Sequence, residues 1–252
     1  MIAVVAGVRE ELAALRAALE SPRDVAHGTL RAARGRLFGR DVVLAVAGDG
    51  AARARQLLGA LLAEFPCDAV IGVGVAGGLT ENLPAGSLVV GSEAREPAGR
   101  RLAPAPVWLA KAGAAGAVPA TLVSTRAIVG DPGTKRALAR SLALVTAAVD
   151  LESYAWAETA SATGVPWVVL RVVSDAAAEE IPDFILDCQR EDGSIDRARV
   201  AAKGLAVPTR LATLLRLRRR VLDAAATLGE TVGAMMNDAP RTLSRDASRE
   251  AM

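Results

Sequence analysis

The chain has 252 residues, of which 52% are hydrophobic and 23% are charged, and its formal net charge is +2. Its apolar runs are shorter than the roughly 18 residues of a membrane-spanning helix, and its basic residues do not alternate with aromatic ones. These features argue against a membrane-spanning protein and do not favour nucleic acid as a partner. The start MIAVVAGVREEL has no basic segment before its apolar run, and Cys67 and Cys188 stand far apart. We therefore expect a cytoplasmic protein with reduced thiols.

Strand-like runs recur along the first two thirds of the chain. Several are nearly continuous in Val, Ile, Leu and Ala, as expected for strands that are covered on both faces. The predicted strands are residues 2–7, 41–48, 68–74, 87–91, 121–124 and 166–174.

Helical patterns lie between these strands, and a long one follows the last of them. The predicted helices are residues 10–20, 51–65, 134–142, 152–163 and 208–232. This alternation predicts an α/β fold, a single three-layer domain with a mixed, mostly parallel central sheet flanked by helices. We expect the domain to cover residues 1–236 and the polar, unpatterned residues 237–252 to form a disordered tail.

Residues 182–200 interrupt the alternation of strands and helices. Asp192-Gly193 stands between two short mixed runs, which is a pattern typical of a β-hairpin. Because this segment follows the strand 166–174 directly, it is either a flap over a site at the end of that strand or a surface hairpin without a functional role.

A glycine motif, GVGVAG at residues 72–77, satisfies the G-x-G-x-x-G pattern of dinucleotide-binding proteins. Such a site needs a helix that begins at the motif, but the next ordered run here is the strand 87–91. The dinucleotide interpretation is therefore not favoured. The glycines instead predict a turn where the backbone approaches a ligand or another strand. His27, the only histidine, has no serine or cysteine motif nearby, which argues against a catalytic triad.

Acidic residues follow predicted strands at several points. Glu10 and Glu11 come after the first strand, Glu152 opens a helix, and Asp175 ends the strand 166–174. The carboxyl ends of parallel strands meet at one edge of a sheet, where α/β folds place their ligands. Carboxyl groups there suit a reaction in which one group holds a substrate and another donates a proton. Alternatively, the same acids could have no role in a site and only favour a helix N-terminus or form a turn at the end of a strand.

Four stretches together resemble a known family. They are IAVVAGVREEL, AGDGAARA, GVGVAGGLTENLPAGSLVV and the pair VDLES with LRVVSDAA. Their order and spacing resemble the nucleoside phosphorylase and nucleosidase superfamily, most closely its methylthioadenosine/S-adenosylhomocysteine nucleosidase branch. The segment after Asp175 and the basic final helix look like the hopanoid-associated members, which are thought to release adenine from adenosylhopane.

The resemblance implies cleavage of an N-ribosyl bond. By that resemblance Asp175 is the acid that protonates N7 of the leaving adenine, which requires burial or a neighbouring acid to keep its proton. Ser174 would orient Asp175 or contact the base, and Glu11 would activate the attacking water.

The resemblance also implies a set of binding residues. Glu152 would accept hydrogen bonds from the ribose hydroxyls, and Leu151 would form an apolar wall under the ribose. Arg171 would lie near the nucleophile. Residues that would contact the base or complete the substrate site are Ile128, Val129, Ala76 and Gly77. No cofactor and no metal are implied.

Phosphorylases of this superfamily usually place Ser or Thr in the glycine motif to meet phosphate, and this chain has Val75. Hydrolysis is therefore favoured, while Arg9, Arg53 and Arg171 keep phosphorolysis open. A non-catalytic nucleoside-binding protein with the same fold stays an alternative.

The expected partner is a small-molecule nucleoside that could carry a lipid, and the resemblance implies a homodimer. The basic, leucine-rich residues 211–222 either contact an anionic membrane peripherally or belong to a core-packing helix with a solvated arginine face.

Overall fold

The computed structural model describes residues 1–28, 30–190 and 193–237, so residues 238–252 of the predicted tail lie outside the described residues. Within this part of the chain, ten strands form one sheet. They are β1 (Ile2–Ala6), β2 (Glu20–His27), β3 (Leu30–Leu37), β4 (Arg40–Val46), β5 (Ala69–Gly78), β6 (Leu88–Arg95), β7 (Arg101–Leu102), β8 (Val118–Ser124), β9 (Ala147–Asp150) and β10 (Trp167–Asp175).

The sheet is mixed, as the sequence predicts. Its strand order is β10-β6-β8-β9-β5-β1-β4-β3-β2, with β7 beside β6 and an additional pairing of β10 with β5. The strands β4, β1, β5 and β10 are parallel to their neighbours in that group. Their carboxyl ends therefore share one edge of the sheet, where the predicted acids lie.

Helices cover both faces of the sheet. They are a 3-10 helix (Arg9–Leu12), α1 (Ala13–Ala17), α2 (Ala51–Glu64), α3 (Pro106–Ala114), α4 (Pro132–Ser141), α5 (Ser153–Ala162), α6 (Asp183–Leu186), α7 (Arg197–Leu205) and α8 (Pro208–Met236). One core lies between the sheet, α2 and α5, and the other between the sheet, α1 and α8. Successive residues of β1 alternate between the two cores, which explains why its sequence is apolar throughout. The α/β fold class is confirmed.

Several elements were not predicted from the sequence. The strands β2, β3, β7 and β9 and the helix α3 are absent from the prediction, and the predicted helix 10–20 is shorter because Glu20 begins β2. The reason is clearest at β2, whose side chains are mostly exposed. A strand at the edge of a sheet needs no apolar alternation and tolerates a proline such as Pro22.

The hairpin predicted within residues 182–200 is present only in a short form: the N–H of Arg190 donates to the carbonyl of Ser194, and the N–H of Asp196 donates to the carbonyl of Cys188, each at 2.8 Å. The segment contains α6, a single isolated bridge between Gln189 and Ile195, and the start of α7. Asp192 of the predicted turn lies outside the described residues.

The glycine motif is part of β5, so the prediction of a turn at residues 72–77 was wrong. The backbone is closely approached at these glycines, but by side chains of the protein. A Cβ atom on Gly72 would lie 2.6 Å from the ring of Trp156. A Cβ atom on Gly74 would overlap the guanidinium of Arg171 and lie 2.7 Å from the carboxylate of Glu11. These glycines let large and charged side chains cross directly over the strand.

Gly72→Ala should lower the free energy of unfolding by about 1–3 kcal/mol, because the new methyl group would press against the buried ring of Trp156. Gly59→Ala in α2 is the matched control, since a Cβ atom there meets no neighbour. The control should gain about 0.5–1 kcal/mol from helix propensity. Chemical denaturation of both variants measures these differences, and equal effects would contradict the packing argument.

Candidate active site

A cavity of about 580 Å³ opens at the carboxyl ends of β1, β5 and β10. All the predicted site residues except Arg171 line it: Glu11, Ala76, Gly77, Ile128, Val129, Leu151, Glu152, Ser174 and Asp175. Arg171 lies beneath the cavity with 1% of its surface exposed. The fold therefore brings residues from separate parts of the chain to one cleft.

Glu11 is held by two backbone groups. The N–H of Val75 donates to its Oε1 at 2.9 Å, and the N–H of Val8 donates to its Oε2 at 3.0 Å. Burial raises the pKa of Glu11, while the charge of Arg171 opposes that rise. The carboxylate of Glu11 is therefore bonded to the backbone N–H of Val75. Val75 stands where the phosphorylases that this chain resembles carry the Ser or Thr that meets phosphate.

Glu152 is the residue directly before α5. The N–H of Gly50 donates to its Oε1 at 2.8 Å, and its Oε2 lies 3.5 Å from a guanidinium nitrogen of Arg171. Burial raises the pKa of Glu152 to about 8, an effect that Arg171 opposes and Asp150 strengthens. A pKa of about 8 favours the protonated form of Glu152 near neutral pH.

Arg171 is the cation beneath these acids. Its Nη2 lies 2.8 Å from Oδ2 of Asp150, and its Nε donates to the Ser153 hydroxyl at 3.2 Å. Its guanidinium also stacks 4.9 Å from the ring centre of Trp156. Sequence reasoning missed Asp150 and Ser153. The available signal was an acid at a strand end, but β9, the strand that Asp150 ends, was itself not predicted.

Asp175 is buried at the end of β10, as the sequence predicts. The hydroxyl of Ser174 donates to its Oδ1 at 2.6 Å. Its Oδ2 lies 2.5 Å from the ammonium nitrogen of Lys135. The nearest charged partner of Asp175 is thus a cation, whereas the sequence argument looked to burial or a neighbouring acid. Sequence reasoning missed Lys135, because a lysine in a helix usually faces solvent.

The loop expected to clamp the base carries Ile128 and Val129, and both line the cavity. The N–H of Ile128, however, donates to Oε1 of Gln189 at 2.9 Å. The N–H of Ile128 is therefore already bonded within the protein, and Ile128 and Val129 contribute apolar side chains to this part of the site.

The opposite wall of the cavity comes from the last third of the chain and is mostly apolar, although Arg197 and Arg218 also line it. Ile181, Ile185, Ile195 and Val200 form one part of it, and residues of α8 form the rest. Residues 182–200 therefore contribute directly to the cavity, which supports their interpretation as a cover over the site. An ion pair of 2.9 Å between Arg197 and Asp49 ties this cover to the loop before α2.

The arginines considered for phosphate binding are separated by the fold. Arg9 and Arg53 lie along a second cavity of about 590 Å³, between α2 and the strands β3 and β4. Arg171 contacts the acids of the site, and its charge is directed at the carboxylates of Asp150 and Glu152.

The fold and the site define a three-layer α/β protein with a small-molecule cleft that is acidic on one side and apolar on the other. The family model described as the phosphorylase superfamily matches residues 1–206. The chain therefore belongs to the phosphorylase superfamily.

Similar proteins carry nucleosidase names. A 5'-methylthioadenosine/S-adenosylhomocysteine nucleosidase of Shewanella halifaxensis is 25% identical over 207 residues, which are 73% of this chain and 90% of that protein. The crystal structure of the enzyme of the same name from Neisseria meningitidis, in complex with methylthio-immucillin-A, has a TM-score of 0.70 and 25% identity over 92% of this chain and 98% of that chain. Futalosine hydrolase of Helicobacter pylori, at 17% identity and a TM-score of 0.70 over 92% of this chain and 96% of that chain, shares the fold.

Replacing Glu152 by glutamine should change how stability depends on pH. Because the pKa of Glu152 is raised in the folded protein to about 8, the unfolded chain ionises first, and folding loses stability as the pH rises from about 4.5 to about 8. Glu152→Gln lacks this loss, which is at most about 1.4 kcal/mol per pH unit.

Urea unfolding of both proteins at several pH values tests this expectation, with Glu10→Gln at an exposed position as the control. Parallel pH curves for the wild type and Glu152→Gln would show that Glu152 does not hold a proton in the folded protein.

Proposed function

We propose that this protein hydrolyses the N-ribosyl bond of a 5'-substituted adenosine and releases adenine. One observation carries the proposal: Glu11, Glu152 and Asp175, which come from distant parts of the chain, line the same cavity. These are the residues to which the family resemblance gives water activation, ribose binding and base protonation. The nucleosidase names of the similar proteins support the same reaction.

The geometry suits each step of such a reaction. Glu152 meets the ribose hydroxyls, and its protonated form can both donate and accept a hydrogen bond. The C1'–N9 bond breaks and its electron pair goes to the adenine, while Asp175 gives a proton to N7. The sugar then resembles an oxocarbenium ion, as in glycoside hydrolysis, and the surrounding carboxylates favour its positive charge. Water adds to C1' and gives its proton to Glu11.

The groups around Val75 and the charge of the site both favour hydrolysis over phosphorolysis. Val75 has no hydroxyl group, and its N–H is already bonded to Glu11 at 2.9 Å. A phosphate at this place would also face Glu11, Asp150 and Glu152, with Arg171 as the cation among them. Bringing a phosphate anion close to these buried acids is unfavourable.

The wild-type protein should release adenine from a 5'-substituted adenosine in phosphate-free buffer, and added phosphate should leave the rate unchanged. Asp175→Asn should lower kcat at least about 100-fold, because general acid catalysis is lost. Asp187→Asn, at an exposed ion pair with Lys203, is the matched control and should keep full activity. Chromatography of the released base gives the rates.

The outcomes separate the alternatives. Strict dependence on phosphate would show a phosphorylase. Wild-type activity in Asp175→Asn would remove Asp175 as the acid. No base release from methylthioadenosine, S-adenosylhomocysteine, adenosylhopane or inosine would favour the non-catalytic nucleoside-binding protein.

For the 5' substituent we favour a large apolar group, as in adenosylhopane. The support is the apolar wall of the cavity, where α8 contributes Leu214, Leu217 and Val221 beside Val200 and Ala201 of α7. A wall of this kind favours hydrocarbon over a charged group. Methylthioadenosine and S-adenosylhomocysteine are the alternative substrates, and the names of the relatives favour them.

Leu217→Gln should raise KM for a substrate with a long apolar 5' group about 10-fold, because part of its buried contact with the wall is lost. KM for methylthioadenosine should change less than about twofold, since its 5' group is short. Leu215→Gln is the control, because Leu215 is 56% exposed on the same helix. An equal rise of KM for both substrates would contradict the assignment of the apolar wall to the 5' group.

Membrane contact and homodimer formation stay predictions. Among residues 1–28, 30–190 and 193–237, no helix combines the length and hydropathy of a bilayer span. On α8, Arg219 is exposed and Leu215 and Leu222 are partly so, which would suit contact with an anionic surface. Arg220 is bonded to Glu179 and to the carbonyl of Ser174. The variants used in a liposome-binding assay should therefore keep Arg220.

A further inference from the structure

Lys135 on α4 has no exposed surface, at 0%. Its ammonium donates to Oδ2 of Asp175 at 2.5 Å, to the carbonyl of Glu179 at 2.8 Å and to the carbonyl of Ala176 at 3.0 Å. An ammonium has three hydrogens, so these bonds use its full donor capacity. A buried charge without such partners would be costly, and the position of Lys135 is therefore fixed by them.

The other charged groups around Lys135 have partners of their own. Glu179 follows β10, and its carboxylate accepts a hydrogen bond of 2.6 Å from Arg220 of α8. That bond lowers the pKa of Glu179. Lys135 therefore has Asp175 as its direct carboxylate partner. The charged neighbours of Lys135 on its own helix and at the start of that helix are exposed: Asp131 and Arg136.

The two oxygens of Asp175 are fixed separately. Ser174 donates to Oδ1 at 2.6 Å, and Lys135 donates to Oδ2 at 2.5 Å. A carboxyl group held at both oxygens has one orientation, which is what proton transfer to a bound base requires. Because α4 follows the loop of Ile128 and Val129, the contact also joins the base side of the cavity to the end of β10.

We propose, on the basis of the function proposed above, that Lys135 is a positioning residue that stabilises the carboxylate which Asp175 becomes during the reaction. The O–H bond of Asp175 breaks as the N7–H bond forms, and the electron pair of the C1'–N9 bond leaves with the purine. Lys135 keeps its own proton throughout. The ammonium of Lys135, 2.5 Å from Oδ2, stabilises the negative charge that forms on this carboxyl group as the proton leaves.

Lys135→Met should therefore have two effects. At acidic pH, kcat for adenine release should fall about 10-fold or more, while KM changes less than about twofold because Lys135 does not line the cavity. The pH at which activity declines on the alkaline side should rise by about one unit or more. Lys135→Arg, which retains the positive charge, should keep the wild-type pH profile. Lys111→Met, at a lysine that packs on Trp108 of α3, is the matched control.

An unchanged pH profile in folded Lys135→Met would overturn the proposal, because a purely structural lysine would alter stability and leave that profile in place. Lys135→Gln is the second variant, in which an amide can still donate to the carbonyls of Ala176 and Glu179. The same two effects are expected for it.

A measurement without catalysis separates this proposal from the proposed function. In protein labelled with carboxyl-¹³C aspartate, the Asp175 signal is identified by its loss in Asp175→Asn. Its titration midpoint should rise by about one pH unit or more in Lys135→Met and Lys135→Gln. If the wild type releases no base, the proposed function fails, and this titration still decides the role of Lys135. Equal midpoints in the wild type and both variants would overturn that role.

Discussion

Arg171 lies beneath the cavity with Asp150, Glu152 and Glu11 around it, and its positive charge offsets the negative charge of these three acids. Three ionised carboxylates against one guanidinium would leave an excess of buried negative charge. Burial raises the pKa of both Glu11 and Glu152, and the charge of Arg171 opposes that rise in each case. Removing Arg171 would leave all three acids without a cation, which is far costlier than losing a surface ion pair.

The glycines of β5 make this arrangement possible. Arg171 on β10 and Glu11 after β1 meet directly over Gly74, where any side chain would overlap the guanidinium. Trp156 crosses Gly72 in the same way and supports Arg171 from below. The G-x-G pattern, which in other folds lets backbone approach a pyrophosphate, here lets two side chains of the protein approach one strand.

The cavity has two sides with different origins. Its acidic side is built from β1, β5, β9 and β10 and lies within the residues that match the superfamily. Much of its apolar side comes from α8, which begins at Pro208, beyond the matched residues 1–206. We therefore expect the acidic side to determine the reaction and the apolar side to determine which 5' substituent is accepted.

The sequence by itself determined the α/β fold class, the strands that are apolar on both faces, and the acids Glu11, Glu152 and Asp175, because these features depend on local pattern and on motif order. It did not reveal β2, whose exposed edge position needs no apolar pattern, or the short helices α6 and α7 beside the cavity. Nor did it reveal Lys135 beside Asp175 or Gln189 on the backbone of Ile128. Those contacts join residues 40 and 61 positions apart in the chain. Only the tertiary structure decided them, because burial and long-range pairing leave no periodic signal in a single sequence.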